Sequence, residues 1–244
     1  MSSQLSESYI AQIKQLVSDA ERTDYIMPLW LPYFGAILTV IGVLAILIGF
    51  ALGSEAAGVT ALATFIILLI IADIIQLYVI YKWIARRNDH FERSQRLRSL
   101  ILDYLRVKGL QDPELTTMTN ILEEVRFKEQ RRGAGLWLIL YILLGFIAWA
   151  YIMHFLTRDF VEHEHREHMF YRNLADMLTR RNIALMLPEK RIPDRNTILY
   201  VILTIITLGL FGLYWIYVVT KDPNEHFLEH RRFEPQLVDA LAKL

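Results

Sequence analysis

Three histidines recur in one local pattern of the sequence, at His90, His163 and His226. The acidic residues that precede them are Asp89, Glu162 and Glu225. Imidazole gains and loses its proton near neutral pH and is a common metal ligand. If three helices carry these acid–histidine pairs side by side, the pairs form one layer that can bond across helices or respond to pH. Packing between helices is the role we favour for them.

A second group of polar side chains is the segment VEHEHREHMFYR at 161–172. On a helix, His165 and His168 lie one turn apart, so His163, His165 and His168 could supply ligands to zinc or a related ion. The other copies of the pattern have no histidine at the last two of these positions. We therefore expect a solvated or salt-bridged surface with no metal and no cofactor, and keep metal binding as a distant alternative.

Asp73 stands in the middle of an apolar segment, nine residues before Lys82. A carboxylate inside a membrane segment is a candidate for function. Its oxygens could accept hydrogen bonds from backbone turns at Phe146 and Gly209, or it could form an ion or proton site with Gln76. We favour the structural role, because the sequence has no second intramembrane carboxylate to complete a relay.

The remaining sequence features do not indicate an enzyme. There is no glycine-rich phosphate loop, no GxSxG elbow and no HExxH zinc motif. The absence of cysteine excludes disulfides, thiolate catalysis and cysteine metal ligands. Basic and acidic residues number 26 each, so the net charge gives no indication of nucleic-acid binding. We expect a non-enzymatic protein.

The elements that carry the histidines form a threefold internal repeat. In each copy a tyrosine precedes the histidine by 12 residues and a leucine follows it by 15. The second and third copies align without gaps at an offset of 63, where TRDFVEH at 157–163 matches TKDPNEH at 220–226. Each copy runs from an apolar segment into a charged helix. The tyrosines are Tyr78, Tyr151 and Tyr214, and the leucines are Leu105, Leu178 and Leu241.

The composition is typical of a membrane protein with large polar extensions. Of the 244 residues 54% are hydrophobic and 21% charged, with a mean hydropathy of +0.30. Residues 29–52 and 59–80 are each long and apolar enough for a transmembrane helix. The loop between them has no basic residue, so we predict a two-pass hairpin with both ends in the cytoplasm.

Two further apolar segments, 136–156 and 198–219, could cross the membrane or turn back within it. Single spans would place 157–197 outside with its 8 basic residues, against the usual excess of positive charge inside. We favour re-entrant hairpins that turn at Gly145–Phe146 and Gly209–Gly212, where glycine eases a turn. Single spans remain the alternative.

The predicted fold is an all-α integral membrane protein, in which a transmembrane helical hairpin and two further membrane segments continue into cytoplasmic amphipathic helices. We expect a multi-pass protein of the cell membrane with both termini in the cytoplasm. Its predicted parts are an N-terminal amphipathic helix (1–28), the transmembrane hairpin (29–85), a polar helical linker (86–135), the second membrane segment with a charged helical extension (136–197) and the third with the C-terminal helix (198–244).

The stretch ILTIITLGLFGLYWIYVVTKDPNEHF at 202–227 resembles an uncharacterised prokaryotic membrane family, domain of unknown function 4234. The resemblance implies an integral membrane protein and brings no known activity, cofactor or catalytic residue. The matching residues are Thr207, Gly209, Phe211, Gly212, Tyr214 and Trp215, followed by a basic residue and Asn224.

The function we expect is that of a scaffold or accessory subunit that organises the membrane or a partner complex. Its expected partners are membrane lipids, and further candidates are a second copy of the chain or another subunit of a membrane complex. The alternative is a small ion or solute transporter or channel that uses Asp73, with an oligomer interface along Gly42, Ala45 and Gly49.

Overall fold

The structure is a computed structural model that describes the backbone from residue 2 and the side chains from residue 4. Over that range all regular secondary structure is helical, which confirms the all-α part of the predicted class. The helices are α1 (Ser2–Ser18), α2 (Ala20–Thr23), α3 (Leu31–Ala51), α4 (Glu55–Val107), α5 (Pro113–Lys128), α6 (Ala134–Leu144), α7 (Phe146–Thr179), α8 (Thr197–Ile206) and α9 (Leu210–Leu241).

Helix α3 and the first half of α4 form an antiparallel apolar hairpin. The helices have 21 and 53 residues, and both are long and apolar enough to cross a membrane. Most of their large apolar side chains are exposed rather than packed in a core, as at Leu47 (59% exposed) and Ile67 (58% exposed). Exposed apolar surface of this extent indicates contact with lipid or another apolar partner.

Three glycines spaced by seven residues, Gly35, Gly42 and Gly49, are buried on the face of α3 that meets α4. A Cβ atom added at Gly49 would overlap the Cβ of Ala61. Small residues at such spacing let two membrane helices approach closely. In the alternative transporter or channel, Gly42, Ala45 and Gly49 would form an oligomer interface. That interpretation is wrong for the two glycines, because they pack against α4 of the same chain.

Each of the two remaining apolar segments folds back on itself. Helices α6 and α8 have only 11 and 10 residues, and each is followed by a turn with positive φ. The φ angle is 54° at Gly145, and it is 51° at Leu208 and 94° at Gly209. Gly212, predicted as part of the second turn, instead belongs to α9 and packs against the ring of Trp149.

The three long helices α4, α7 and α9 continue from the apolar region into a polar bundle with α1 and α5. The core of this bundle includes Leu97, Leu174 and Leu237, each 0% exposed. A second core lies at the base of the apolar hairpins around Trp83 and Trp215. The same three helices therefore belong to both regions and fix one against the other.

Corresponding positions of the three long helices have similar exposure. The tyrosines Tyr78, Tyr151 and Tyr214 are 46%, 51% and 46% exposed. The three leucines that follow the histidines by 15 residues are all 0% exposed. The helices thus run in the same direction and turn equivalent faces toward their common core.

Replacing Gly49 with alanine should destabilise the protein, because the new Cβ would overlap Ala61 and lie 3.0 Å from the carbonyl oxygen of Ala57. Overpacking of this kind costs about 1–3 kcal/mol. Thermal unfolding of the full chain in detergent, followed by circular dichroism, should show a lower melting temperature.

Gly58 of α4 is the matched control, since a Cβ atom there meets nothing within 4 Å. Gly58→Ala should preserve or raise the melting temperature, because alanine favours a helix over glycine by about 1 kcal/mol. Equal melting temperatures for the two variants would contradict the close contact between α3 and α4.

Candidate functional site

Four histidines meet where the long helices leave the apolar region. Helix α4 supplies His90, α7 supplies His163, and α9 supplies His226 and His230. The Nε2 atom of His90 lies 3.2 Å from Nε2 of His226 and 3.2 Å from Nε2 of His163. All four side chains are buried. The structure thus brings together the three histidines that the sequence pattern singles out, and it adds His230.

A carboxylate lies next to the Nδ1 atom of every one of these histidines. The nearest Nδ1 to oxygen distances are 3.0 Å for His90–Asp24, 2.7 Å for His163–Glu129, 3.3 Å for His226–Glu164 and 2.9 Å for His230–Glu234. An ionised carboxylate only accepts hydrogen bonds, so this arrangement places a hydrogen on Nδ1 of His163, His226 and His230. The Nδ1 atom of His90 lies close to Asp24 but forms no aligned hydrogen bond. The Nε2 atoms are directed at one another and at Glu167. These four histidines and five carboxylates are called the histidine layer below.

Glu167 of α7 occupies the centre of the histidine layer. Its Oε2 lies 2.8 Å from Nε2 of His230 and 3.4 Å from Nε2 of His226. Its Oε1 lies 3.2 Å from Nε2 of His163 and accepts a hydrogen bond from the hydroxyl of Ser94. The carboxylate therefore joins residues of all three long helices.

Buried arginines fix three of the outer carboxylates. Arg93 donates to both oxygens of Glu234 at 2.7 and 2.9 Å, and to Oδ2 of Asp24 at 2.8 Å. Arg98 lies 3.6 Å from Glu129. Charge-assisted contacts of a planar guanidinium with carboxylates are strong and set a definite geometry. Asp24, Glu129 and Glu234 are consequently held in place against the histidine rings, and Glu164 is held by the backbone N–H groups of Arg191 and Ile192.

The electrostatic surroundings give the histidines different proton affinities. For His230, burial lowers the pKa, but Glu167 and Glu234 outweigh burial and raise the pKa to about 10. Neighbouring carboxylates outweigh burial at His163 as well and raise its pKa. At His90 burial dominates and lowers the pKa well below its usual value. With protons as the only added charges, His230 and His163 would be charged and His90 neutral.

The histidine layer can therefore hold protons or a cation, but it is closed to larger molecules. None of its nine side chains is more than 8% exposed. One ligand atom from each of His90, Glu167, His226 and His230 lies within 4.8 Å of the others. Such an arrangement favours binding of a small ion over turnover of a substrate.

A proline in α9 helps to attach the N-terminal segment to the layer. Pro223 has no N–H, so the carbonyl of Val219 has no helical partner and instead accepts a 2.7 Å hydrogen bond from Arg86. Arg86 also donates to Oδ1 of Asn224 at 2.8 Å. The amide of Asn224 bonds the backbone N–H and carbonyl of Met27 at 3.0 and 2.8 Å. These contacts keep the segment before α3 next to His90.

The acids that directly precede the three histidines lie outside the layer. Asp89, Glu162 and Glu225 are 44%, 47% and 40% exposed and pair with Arg131, Arg166 and Lys221. Adjacent residues of a helix point in different directions, so the acid beside a buried histidine faces outward. The prediction that the acid–histidine pairs form the layer is wrong for the acids.

The zinc set considered from the sequence is not formed. His163 is buried in the layer, whereas His165 is exposed and His168 half-buried. Residues two positions apart lie on nearly opposite sides of a helix. The three histidines of α7 therefore cannot converge on one ion.

Asp73 does not stabilise the hairpin turns. Its side chain is exposed on α4, and that of Gln76 is half-buried. In the second turn the N–H of Gly209 donates to a local carbonyl at 2.8 Å, and that of Phe211 donates to Oγ1 of Thr207 at 2.9 Å. The predicted structural role of Asp73 is wrong for the second turn, because that turn satisfies these groups itself.

Several members of the layer were missed by the sequence analysis. A spacing of four residues links His163 to Glu167 and His226 to His230, so each pair shares a helix face and could have been found. Asp24 and Glu129 lie outside the repeat and just beyond helix ends, where no local pattern identifies them.

Replacing Arg93 with methionine should destabilise the protein by about 3–5 kcal/mol, because two buried carboxylates would lose their cation. Urea unfolding of the full chain in detergent measures the change. Arg106→Met is the matched control, since Arg106 pairs with Asp103 on the surface, where both side chains are more than 40% exposed. It should cost less than about 1 kcal/mol. Equal losses would show that the Arg93 contacts contribute no more than a surface pair.

Comparison with known proteins concerns the C-terminal part of the chain. No curated protein and no solved structure matched the chain. A family model matches residues 195–238, a range that contains Pro223, Asn224, His226, His230 and Glu234. That family is described as Domain of unknown function (DUF4234), so the C-terminal part of this chain matches the family that its sequence resembles.

Proposed function

We propose that this chain is a non-enzymatic integral membrane scaffold that crosses the bilayer through α3–α4 and inserts the hairpins α6–α7 and α8–α9 into one leaflet. The polar bundle and both termini then lie on the same side of the membrane. Lipids are the immediate partner, and the asymmetric insertion is the activity through which the protein organises the membrane.

The contact between His90 and His163 is the observation that carries this proposal. The two Nε2 atoms are 3.2 Å apart, so the polar halves of α4 and α7 lie on one side of the apolar region. The 3.2 Å contact of His90 with His226 extends the argument to α9. A single crossing by 136–156 would place His163 across the bilayer from His90.

The lengths of the apolar helices support the same topology. Helix α3 has 21 residues and would extend about 32 Å, enough for the hydrocarbon core, at about 1.5 Å per residue. Helices α6 and α8 have 11 and 10 residues and would reach about 15 Å, half of that thickness. The exposed apolar tips, such as Leu208 at 95% exposure, suit the acyl chains of one leaflet.

An ion pair closes the base of each short hairpin. Arg132, before α6, donates to Asp159 of α7 at 2.6 and 2.8 Å. Arg195, before α8, pairs with Asp222 of α9 in the same way, and the sequence separation is 27 residues in both hairpins. The equivalent pairs and the similar exposures along α4, α7 and α9 support a threefold repeat.

The distribution of basic residues favours the cytoplasm as the side that holds the bundle. The short loop at 53–58 has no basic residue. Basic residues near the base of the apolar region include Lys82, Arg86, Arg87, Arg131, Arg132, Arg158, Arg195 and Lys221. Basic residues accumulate on the cytoplasmic side of membrane proteins, where they also attract anionic lipids.

Labelling of single cysteines tests the topology, and the cysteine-free chain provides the background. Cysteines placed at the exposed positions Arg96, Arg172 and Ser54 are treated with a membrane-impermeant maleimide in sealed cells and in inverted vesicles. Arg96→Cys and Arg172→Cys should react from the cytoplasmic side, and Ser54→Cys from the other side. Reaction of Arg172→Cys together with Ser54→Cys would support four simple spans.

Reshaping of liposomes tests the function. The full chain should bend vesicles into tubules or small spheres visible by electron cryo-microscopy, because the hairpins add volume to one leaflet. The double variant Leu144→Asp with Leu208→Asp should lose this effect, since a carboxylate at a hairpin tip opposes insertion.

The matched control is Phe127→Asp with Met186→Asp, which adds the same charges at exposed apolar residues outside the hairpins. It should reshape vesicles as the unmodified chain does. Unchanged vesicles together with ion flux through the unmodified chain would favour a transporter.

A further inference from the structure

We propose that the histidine layer is a binding site for one divalent transition-metal ion, with His90, His226 and His230 contributing Nε2 and Glu167 contributing Oε2. The site goes beyond the proposed membrane function and rests on different observations. Zn²⁺ is the probe with which it is tested.

The hydrogen-bonding roles of the ring nitrogens leave a place for a cation. Carboxylates bond Nδ1 of His226 and His230, and Asp24 lies 3.0 Å from Nδ1 of His90 without an aligned hydrogen bond. A neutral ring with its hydrogen on Nδ1 presents a lone pair at Nε2. The lone pairs of His90 and His226 then face each other across 3.2 Å, with the carboxylate of Glu167 beside them. A cation between these electron-rich atoms would stabilise them, and so would a hydrogen shared between the two ring nitrogens.

Three of the separations between these atoms match those around a tetrahedral ion. Ligands at about 2.0–2.1 Å from zinc lie about 3.3 Å from one another. The observed separations are 3.2 Å for His90–His226, 3.4 Å for His226–Glu167 and 2.8 Å for His230–Glu167. The other three separations are at most 4.8 Å, so the ligand atoms would have to draw together around an ion.

The residues around the four ligands have the arrangement of a metal site. Histidine ligands commonly donate the other ring N–H to a carboxylate, which orients the ring. Asp24, Glu164 and Glu234 provide those carboxylates. The second oxygen of Glu167 is occupied by Ser94 and His163, which leaves Oε2 for the ion. We assign His163 as a positioning residue.

The charges of the buried groups favour a divalent ion. Three of the five carboxylates in the layer, Asp24, Glu129 and Glu234, form ion pairs with arginines. The other two, Glu164 and Glu167, contact histidines, and with neutral histidines these two would lack a cationic partner in the layer. Uncompensated charges cost much free energy in a region sealed from water.

Protons on His163 and His230 are the competing source of positive charge. These protons would neutralise the same carboxylates without any metal. Metal bound by the chain would then be held adventitiously by surface histidines of α7, such as His165. The experiment therefore has to separate a stoichiometric buried ion from protons and from surface binding.

The burial of all four ligands indicates a structural rather than a catalytic metal site. All four ligands come from the protein, and each is buried, with no position directed at solvent. Closed four-coordinate zinc sites stabilise folds, whereas catalytic sites keep a position for water. Here the ion would join α4, α7 and α9 at one level.

The full chain is purified in detergent without a histidine tag, treated with a chelator and titrated with Zn²⁺, and its metal content is measured by mass spectrometry. We expect one tightly bound ion per chain and a higher melting temperature with zinc. Cobalt substitution should give the visible absorption of a tetrahedral site. No stoichiometric ion in the unmodified chain, with a melting temperature that zinc does not change, would overturn the proposal in favour of protons.

The variants locate the ion. His226→Gln should abolish stoichiometric binding and the cobalt spectrum, whereas the matched double variant His165→Gln with His168→Gln should retain both. Loss of binding in the double variant alone would overturn the proposal and assign the metal to the surface. Should His226→Gln fail to fold, Glu167→Gln, which preserves shape, should weaken zinc binding at least tenfold and change the cobalt spectrum. These readouts do not depend on the membrane topology.

Discussion

The cost of burying charge is the constraint on which the rest of this structure depends. Nine ionisable side chains of the histidine layer are sealed from water between an apolar region and a helical bundle. A buried charge without a partner destabilises a protein far more than a surface pair stabilises it. Every helix that contributes to the layer must therefore stand at one height and rotation, because a shift by one residue would separate an imidazole from its carboxylate.

This requirement relates the polar bundle to the apolar hairpins. The long helices have no break between the two regions, so the register that the histidines impose is carried along each helix into the apolar part. At the hairpin bases, the pairs Arg132–Asp159 and Arg195–Asp222 likewise fix the position of one helix against the segment that precedes its partner. Apolar side chains alone, which slide over one another at little cost, would define these positions less sharply.

The sequence predicted the parts of this arrangement that depend on periodicity. Helices, apolar segments, turns at glycine and the meeting of His90, His163 and His226 follow from spacing along single helices. Partners that come from distant segments could not be predicted, since Asp24 and Glu129 have no sequence signal that links them to a particular histidine. Adjacency in the sequence wrongly placed Asp89, Glu162 and Glu225 in the layer, because neighbouring residues of a helix face different surroundings.

The bonds between Asn224 and Met27 join residues 197 positions apart. During synthesis Met27 is made long before Asn224, so its backbone N–H and carbonyl must wait for these partners until α9 has been made. Contacts between remote parts of a chain are slow to form because the intervening loop must first be closed. A protein lacking α9 would keep the contacts of Asp24 with His90 and Arg93 but would leave the backbone N–H and carbonyl of Met27 without the partners that Asn224 provides.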